Sequence, residues 1–178
     1  SRKMYGKPVM PTQPEGIWQT VYNGESWVES EGEDRYRRGI YTFLKRTSPY
    51  PSFITFDAGS REVCLGKRLV TNTPLQALAT LNDPVFLEAA KNLSEKAWEA
   101  SQQNPEKAIE KMYETLVFQP ISSGKKQTMR ELYISSKNTF DQSLEEKEAF
   151  YPGASSELAA LTVVANALMN LDEYLTKP

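Results

Sequence analysis

The feature that most constrains this chain is a helix-start signal that occurs three times after residue 72: a capping residue followed directly by proline. Proline at the first helical position loses no hydrogen bond, and a Thr, Asp or Asn side chain before it accepts from the first free backbone amides. The three starts are Thr73-Pro74, Asp83-Pro84 and Asn104-Pro105, and Gln76 completes a capping box with Thr73. They predict three successive helices.

Apolar residues recur at helical spacing through this region, which predicts about five helices between residues 73 and 178. The first closes near Asn82, the second runs to about Gln103, the third follows, and the fourth spans about 125–140 before a charged, mobile stretch at 141–148. The last helix, capped by Ser155 or Ser156, has too wide an apolar stripe for a surface helix, so we expect it at the centre of a bundle. That stripe consists of Leu158, Leu161, Val164, Ala165, Leu168 and Leu171.

The first 72 residues are richer in glycine, proline and aromatic residues. Prolines between Lys7 and Pro14 exclude a helix there and predict an extended arm. Three aromatic residues are expected to hold the arm down: Trp18, Tyr22 and Trp27. Helical spacing predicts a short helix over 33–46, followed by a loop over 50–57. The expected fold is mostly α: a single domain, residues 1–178, in which an irregular, aromatic- and proline-rich N-terminal third packs on a bundle of about five helices.

Composition excludes several classes of function. The chain contains no histidine, so Ser-His-Asp or Cys-His catalysis and histidine-ligated metal or haem are impossible within it. Its single cysteine, Cys64, cannot form an internal disulfide or a cysteine zinc site. The formal net charge of −2 disfavours nucleic acid as a partner, and no apolar run is long enough to span a bilayer. We expect neither a metal nor a cofactor site in this chain.

Charge is unevenly distributed in the N-terminal third. Six acids and no bases lie between Glu15 and Asp34, whereas Arg35 to Arg68 contains eight bases and two acids. The bases interleave with aromatic residues, a mixture suited to an anionic or sugar-like ligand. The candidate binding residues are Arg37, Arg38, Arg46, Asp57, Arg61 and Glu62. We expect any site to lie in this loop-rich stretch, 34–72, with the helices as scaffold.

Structural interpretations compete with this site. The arginines can pair with the acids upstream, and Asp57 and Glu62 can be their salt-bridge partners rather than the acid and base of a glycoside hydrolase. Although bases lie nearby, Cys64 between Val63 and Leu65 is more typical of a small buried hydrophobe than of a reactive thiol.

Several sequence blocks together resemble a known family, the bacterial domain of unknown function fifteen-fifty-three (DUF1553). They are Gly32–Arg38 with Ile40–Phe43, Thr55–Cys64, Thr71–Leu78 with Leu81–Pro84, and the closing Asn170–Tyr174. Gly39 and Gly59 depart from the family pattern, in which serine and proline are common at these positions. The resemblance covers nearly the whole chain.

The resemblance implies a context rather than a reaction, and it brings no catalytic residues. It implies the C-terminal part of a long exported bacterial protein, periplasmic or at the cell surface, from bacteria that degrade polysaccharides. Such proteins often carry an upstream cytochrome-c-like domain, so any haem is expected there and not in this chain.

Three functions remain open. The missing histidine and the start at Ser1 favour a non-catalytic structural or binding module, a fragment of a longer protein that packs against upstream domains of the same polypeptide. The alternative is part of a carbohydrate-active hydrolase that binds a glycan and whose site is completed by other regions. The third is an electron-transfer accessory to an upstream haem.

Overall fold

A computed structural model describes residues 1–13, 26–45, 47–59, 64, 66–67 and 70–176. The chain splits into two compact units, Ser1–Thr71 and Asn72–Pro178. The first is irregular and the second helical, so the mostly α fold with an irregular N-terminal region is confirmed.

In the Ser1–Thr71 unit, the N-terminal residues form an extended arm, as the prolines predict. The Val9 amide donates to the Tyr41 carbonyl, and the Val9 carbonyl accepts from the Phe43 amide, both at 2.8 Å. These two hydrogen bonds make a parallel bridge between Val9 and Thr42, and both bridged residues are buried. The arm is therefore part of the unit and not a free tail.

Aromatic side chains hold the arm in place. The Trp27 indole donates to the Pro11 carbonyl and the Tyr50 hydroxyl donates to the Thr12 carbonyl, each at 2.8 Å. The Trp27 and Tyr50 rings stack with their centroids 5.9 Å apart. The predicted role of Trp27 is thus confirmed. The other two predicted anchors, Trp18 and Tyr22, lie outside the described residues.

Two predictions for this unit are wrong. The described part of 33–46 is not one helix, because 3-10 helices at Gly32–Tyr36 and Gly39–Tyr41 are separated by extended backbone. The bridge to Val9 uses backbone groups of residues 41 and 43 that a continuous α-helix would have needed. Conversely, the stretch 50–57 is not a loop throughout, because it contains helix α1, Pro51–Thr55, with proline at its first position.

The Asn72–Pro178 unit contains the remaining helices that the structure describes. They are α2 (Pro74–Asn82), α3 (Pro84–Ala100), α4 (Pro105–Val117), α5 (Ser123–Gln142), α6 (Leu144–Phe150), α7 (Ser156–Leu168) and α8 (Asp172–Leu175). Eight of the 13 residues of α7 are buried, and this helix packs against α3, α4 and α5. Its predicted central position is confirmed, but Leu171, which was predicted to belong to this helix, lies beyond its end as the N-cap of α8.

The predicted helix starts are confirmed by their capping hydrogen bonds. Thr73 and Gln76 form the reciprocal capping box at α2. The Asp83 and Asn104 side chains accept from the first turns of α3 and α4, and Ser155 caps α7.

One stretch of the second unit was predicted wrongly. Residues 141–148 are not a mobile linker, because α5 continues to Gln142 and α6 follows directly with Ser143 as its N-cap. The Phe140 and Phe150 rings stack at 5.6 Å between centroids, a contact across the turn that charge content alone did not suggest.

Among the described residues, no helix combines the length and the hydrophobicity required to cross a membrane.

Phe118 provides a test of the backbone at the end of α4. It has left-handed geometry, φ 60° and ψ 26°, and its side chain is 79% exposed. An L residue is strained there and glycine is not. Phe118→Gly is therefore expected to be about 1 kcal/mol more stable to urea than Phe118→Ala, since both lose the ring and only glycine relieves the strain. Equal stabilities would contradict the left-handed assignment.

Candidate interaction surface

Helix α2 has polar residues inside and leucines outside. Gln76 and Thr80, one turn apart, are 2% and 0% exposed. Leu75 and Leu78, on the opposite side, are 62% and 59% exposed. A helix that packs on a core normally buries its apolar face, so α2 is inverted relative to the usual pattern.

Polar contacts with α7 and the residues after it hold α2 in this orientation. The Asn166 side-chain amide donates to the Thr80 carbonyl at 2.9 Å, and the Thr80 hydroxyl donates to Asn170 Oδ1 at 3.0 Å. The Thr80 carbonyl needs this donor because the residue four positions later is Pro84, which has no N–H. Asn72 adds a hydrogen bond from its Nδ2 to Asp172 Oδ1 at 2.6 Å. Pro84 at the α2–α3 corner therefore leaves the Thr80 carbonyl in need of a hydrogen-bond donor, and Asn166 supplies it.

Removing that donor should loosen α2. Asn166→Ala removes the side-chain amide that donates to the buried Thr80 carbonyl. We expect the free energy of unfolding to fall by about 2 kcal/mol. Asn138→Ala, at an exposed position of α5, is the control and is expected to change stability by less than about 0.5 kcal/mol. The measurement is urea denaturation followed by circular dichroism. Similar small losses in both variants would show that Asn166 does not anchor α2.

The outward side chains of α2 and the first turn of α3 include four exposed apolar residues, which we call the leucine stripe. It consists of Leu75, Leu78, Leu81 and Val85, which are 62%, 59%, 41% and 39% exposed. Between Arg68 and Glu88 the only charged residue is Asp83. Its carboxylate accepts from the Val85 amide at 2.8 Å and so serves as the α3 cap. The stripe is a local, uncharged and exposed surface.

Sequence reasoning missed this surface because it assigned the helices to the scaffold and placed any site in 34–72. A signal was nevertheless present. Leu75, Leu78 and Leu81 share one helical face, while Gln76 and Thr80 occupy the other, and neither face carries a charge. A single core can bury only one face of such a helix. The pattern therefore indicates that its two faces have different neighbours.

Arg37, the first of the six candidate binding residues, holds the arm of its own unit. Its side chain is 1% exposed. The guanidinium donates to the Tyr5 carbonyl at 2.6 Å, lies 3.9 Å from the centroid of the Tyr41 ring, and has Asp34 at 3.8 Å. The buried positive charge of Arg37 is stabilised by a carbonyl, an aromatic face and a carboxylate.

The other candidates do not form a described cluster with Arg37. Arg38 is exposed, with Nη1 3.8 Å from the Met4 sulfur. Asp57 Oδ2 accepts from the Thr71 amide at 2.8 Å and from the Thr71 hydroxyl at 2.6 Å. Arg46, Arg61 and Glu62 lie outside the described residues.

The alternative that the arginines pair with upstream acids is confirmed for two of them. Arg35 Nε lies 2.9 Å from Glu29 Oε1, and Arg37 shares Asp34 with Lys3. Arg35 and Glu29 are each about two-fifths exposed, so this pair adds at most about 1 kcal/mol. In the described part of the chain, no three Asp, Glu or Cys side chains are arranged to hold a metal ion.

The expectation that Cys64 is buried is wrong. It is an exposed, free thiol. Residue 64 lies outside any helix or strand, so it belongs to no apolar face that would carry it into a core.

Comparison with known proteins identifies a family to which most of the chain is similar. The family model described as PSD1, protein of unknown function (DUF1553), matches residues 1–133. No curated protein and no solved structure matches the chain.

Proposed function

We propose that this chain, which belongs to the PSD1 family of proteins of unknown function (DUF1553), is a non-catalytic module that packs through the leucine stripe against another part of the same larger polypeptide. One observation supports this most strongly: α2 buries Gln76 and Thr80 and leaves Leu75 and Leu78 exposed. An apolar surface that is displayed by a fixed helix is typical of an interaction site.

The size of the stripe favours a partner that is covalently connected. Covering a leucine fully stabilises by roughly 1.5 to 3 kcal/mol, so four partly exposed side chains contribute roughly 4 kcal/mol in total. A complex with a Kd of 1 μM requires about 8 kcal/mol, and a standard interface between separate proteins takes about 800 Å² from each partner. A segment of the same polypeptide avoids most of the entropy loss of association, because the linkage gives it a high effective concentration.

The wider setting of the proposal comes from the family resemblance. We propose that the larger polypeptide is exported, acts in the periplasm or at the cell surface in polysaccharide use, and carries any haem in an upstream domain. The absence of histidine from this chain supports the last point, since histidine is a common axial ligand of haem iron. The complete coding sequence tests this setting, because a signal peptide and a C-x-x-C-H motif upstream would both be present.

The module itself is tested with Leu78→Glu. In the isolated chain we expect the free energy of unfolding to change by less than about 0.5 kcal/mol, because Leu78 is already exposed. In the complete polypeptide the same substitution buries a carboxylate at the contact. We therefore expect the free energy of unfolding to fall by at least about 2 kcal/mol. The measurement is urea denaturation of both proteins.

Leu144→Glu is the matched control, since Leu144 is 66% exposed but lies in α6, away from the stripe in sequence. It should leave the stability of both proteins unchanged within about 0.5 kcal/mol. Equal effects of Leu78→Glu in the isolated chain and in the complete polypeptide would rule out packing through the stripe. Turnover of a glycan by the complete polypeptide that is lost with Asp57→Ala, without loss of stability, would instead support the hydrolase.

A further inference from the structure

Building on the proposed function, we infer that the segment that covers the leucine stripe is an amphipathic α-helix with an uncharged apolar face, which crosses α2 at a shallow angle. Leu75, Leu78 and Leu81 are three residues apart along α2. They form a ridge of the kind that fits between the side-chain rows of a second helix.

The backbone of α2 excludes pairing with a strand. A strand binds by adding main-chain hydrogen bonds to a sheet edge. The amides and carbonyls in the interior of α2 are bonded within the helix, and the Thr80 carbonyl accepts from Asn166. The stripe therefore offers side chains only.

The side chains of the stripe also disfavour an extended, proline-rich ligand. Such ligands bind in grooves lined by aromatic rings. The stripe contains leucine and valine, and its three leucines form a row along α2. A helix that presents its own apolar row is the partner that fits this shape.

The geometry predicts how the two helices meet. A row of residues three apart on one helix packs between rows of residues four apart on the other at a crossing angle of about 20°. Helix α2 has nine residues and is thus about 13 Å long. At so shallow an angle the partner stays in contact along α2 for about two to three turns, so about eight to eleven of its residues lie over the stripe.

Charge further defines the partner's contact face. Asp83 is the one charged residue between Arg68 and Glu88 in the sequence, and its carboxylate accepts a hydrogen bond from the Val85 amide. A charged side chain of the partner placed over Leu78 would lose its hydration against an apolar side chain. The contact residues of the partner are therefore apolar and spaced by three or four.

Photo-crosslinking in the complete polypeptide tests this inference. The photoreactive residue p-benzoylphenylalanine is placed in turn at positions 75, 78 and 81, and at position 144 as the control. Captured residues are identified by mass spectrometry. We expect all three stripe positions to capture one segment of the same polypeptide, at residues separated by three or four, with little capture from position 144.

Other outcomes separate the inference from the proposed function. Captured residues that are separated by two would indicate an extended segment, which would overturn the helical partner and leave packing within the polypeptide intact. Capture between isotopically distinct copies, or equal capture from all four positions, would overturn the proposed function itself and the inference with it.

Discussion

Leu161→Ala is expected to lower the free energy of unfolding of the Asn72–Pro178 unit by about 3 to 5 kcal/mol. Leu161 has no exposed surface and belongs to the core cluster around α7. Truncation removes its buried methyl groups and leaves a cavity that the flanking helices α3, α4 and α5 close only in part. A loss of this size is a large fraction of the stability of an ordinary domain.

The measurement is urea denaturation monitored by helical circular dichroism, with Leu144→Ala as the control. Leu144 is 66% exposed, so its truncation should change stability by less than about 0.5 kcal/mol. The dependence of the unfolding free energy on urea should be the same in both variants, which would show that the unfolded states are comparable. A loss below about 1 kcal/mol for Leu161→Ala would contradict the central position of α7.

Arg37→Ala is expected to destabilise the Ser1–Thr71 unit by about 2 kcal/mol. The buried guanidinium donates to the Tyr5 carbonyl and lies over the Tyr41 ring. Its removal breaks the hydrogen bond to the Tyr5 carbonyl and the contact with the Tyr41 ring, and leaves space beneath the arm. Hydrogen exchange at the Val9 and Phe43 amides reports on this unit directly, because both amides form the bridge between the arm and residues 41–43.

Arg38→Ala is the matched control, since Arg38 neighbours Arg37 in sequence but is exposed. Exchange at the two amides should accelerate about thirtyfold or more with Arg37→Ala and remain unchanged with Arg38→Ala, as a loss of about 2 kcal/mol implies. Unchanged exchange in both variants would show that Arg37 does not hold the arm.

Local signals in the sequence predicted most of the helical unit. Cap and proline pairs act within one turn, so the starts of α2, α3 and α4 could be located without tertiary information. The wide stripe of α7 likewise identified the centre of the core. These features depend on residues that are close in sequence.

Features that depend on distant residues could not be predicted in this way. The stretch 33–46 has helical spacing, but its backbone pairs with Val9, more than thirty positions earlier. The burial of Arg37 follows from carbonyls of the same arm. The orientation of α2 is set by Asn166, 86 positions after Thr80. The leucine stripe was consequently overlooked, although its residues were all visible in the sequence.

The proposal that the leucine stripe is covered in the complete polypeptide is tested most directly by thiol labelling at position 78. Leu78→Cys and, as the control, Leu144→Cys are made in a Cys64→Ser background, because Cys64 is exposed and would itself react. Labelling by a maleimide is then timed in the isolated chain and in the complete polypeptide. We predict at least about tenfold slower labelling of position 78 in the complete polypeptide, which corresponds to about 1.4 kcal/mol of protection, and equal rates at position 144. Equal rates at position 78 in the two proteins would contradict the proposed packing.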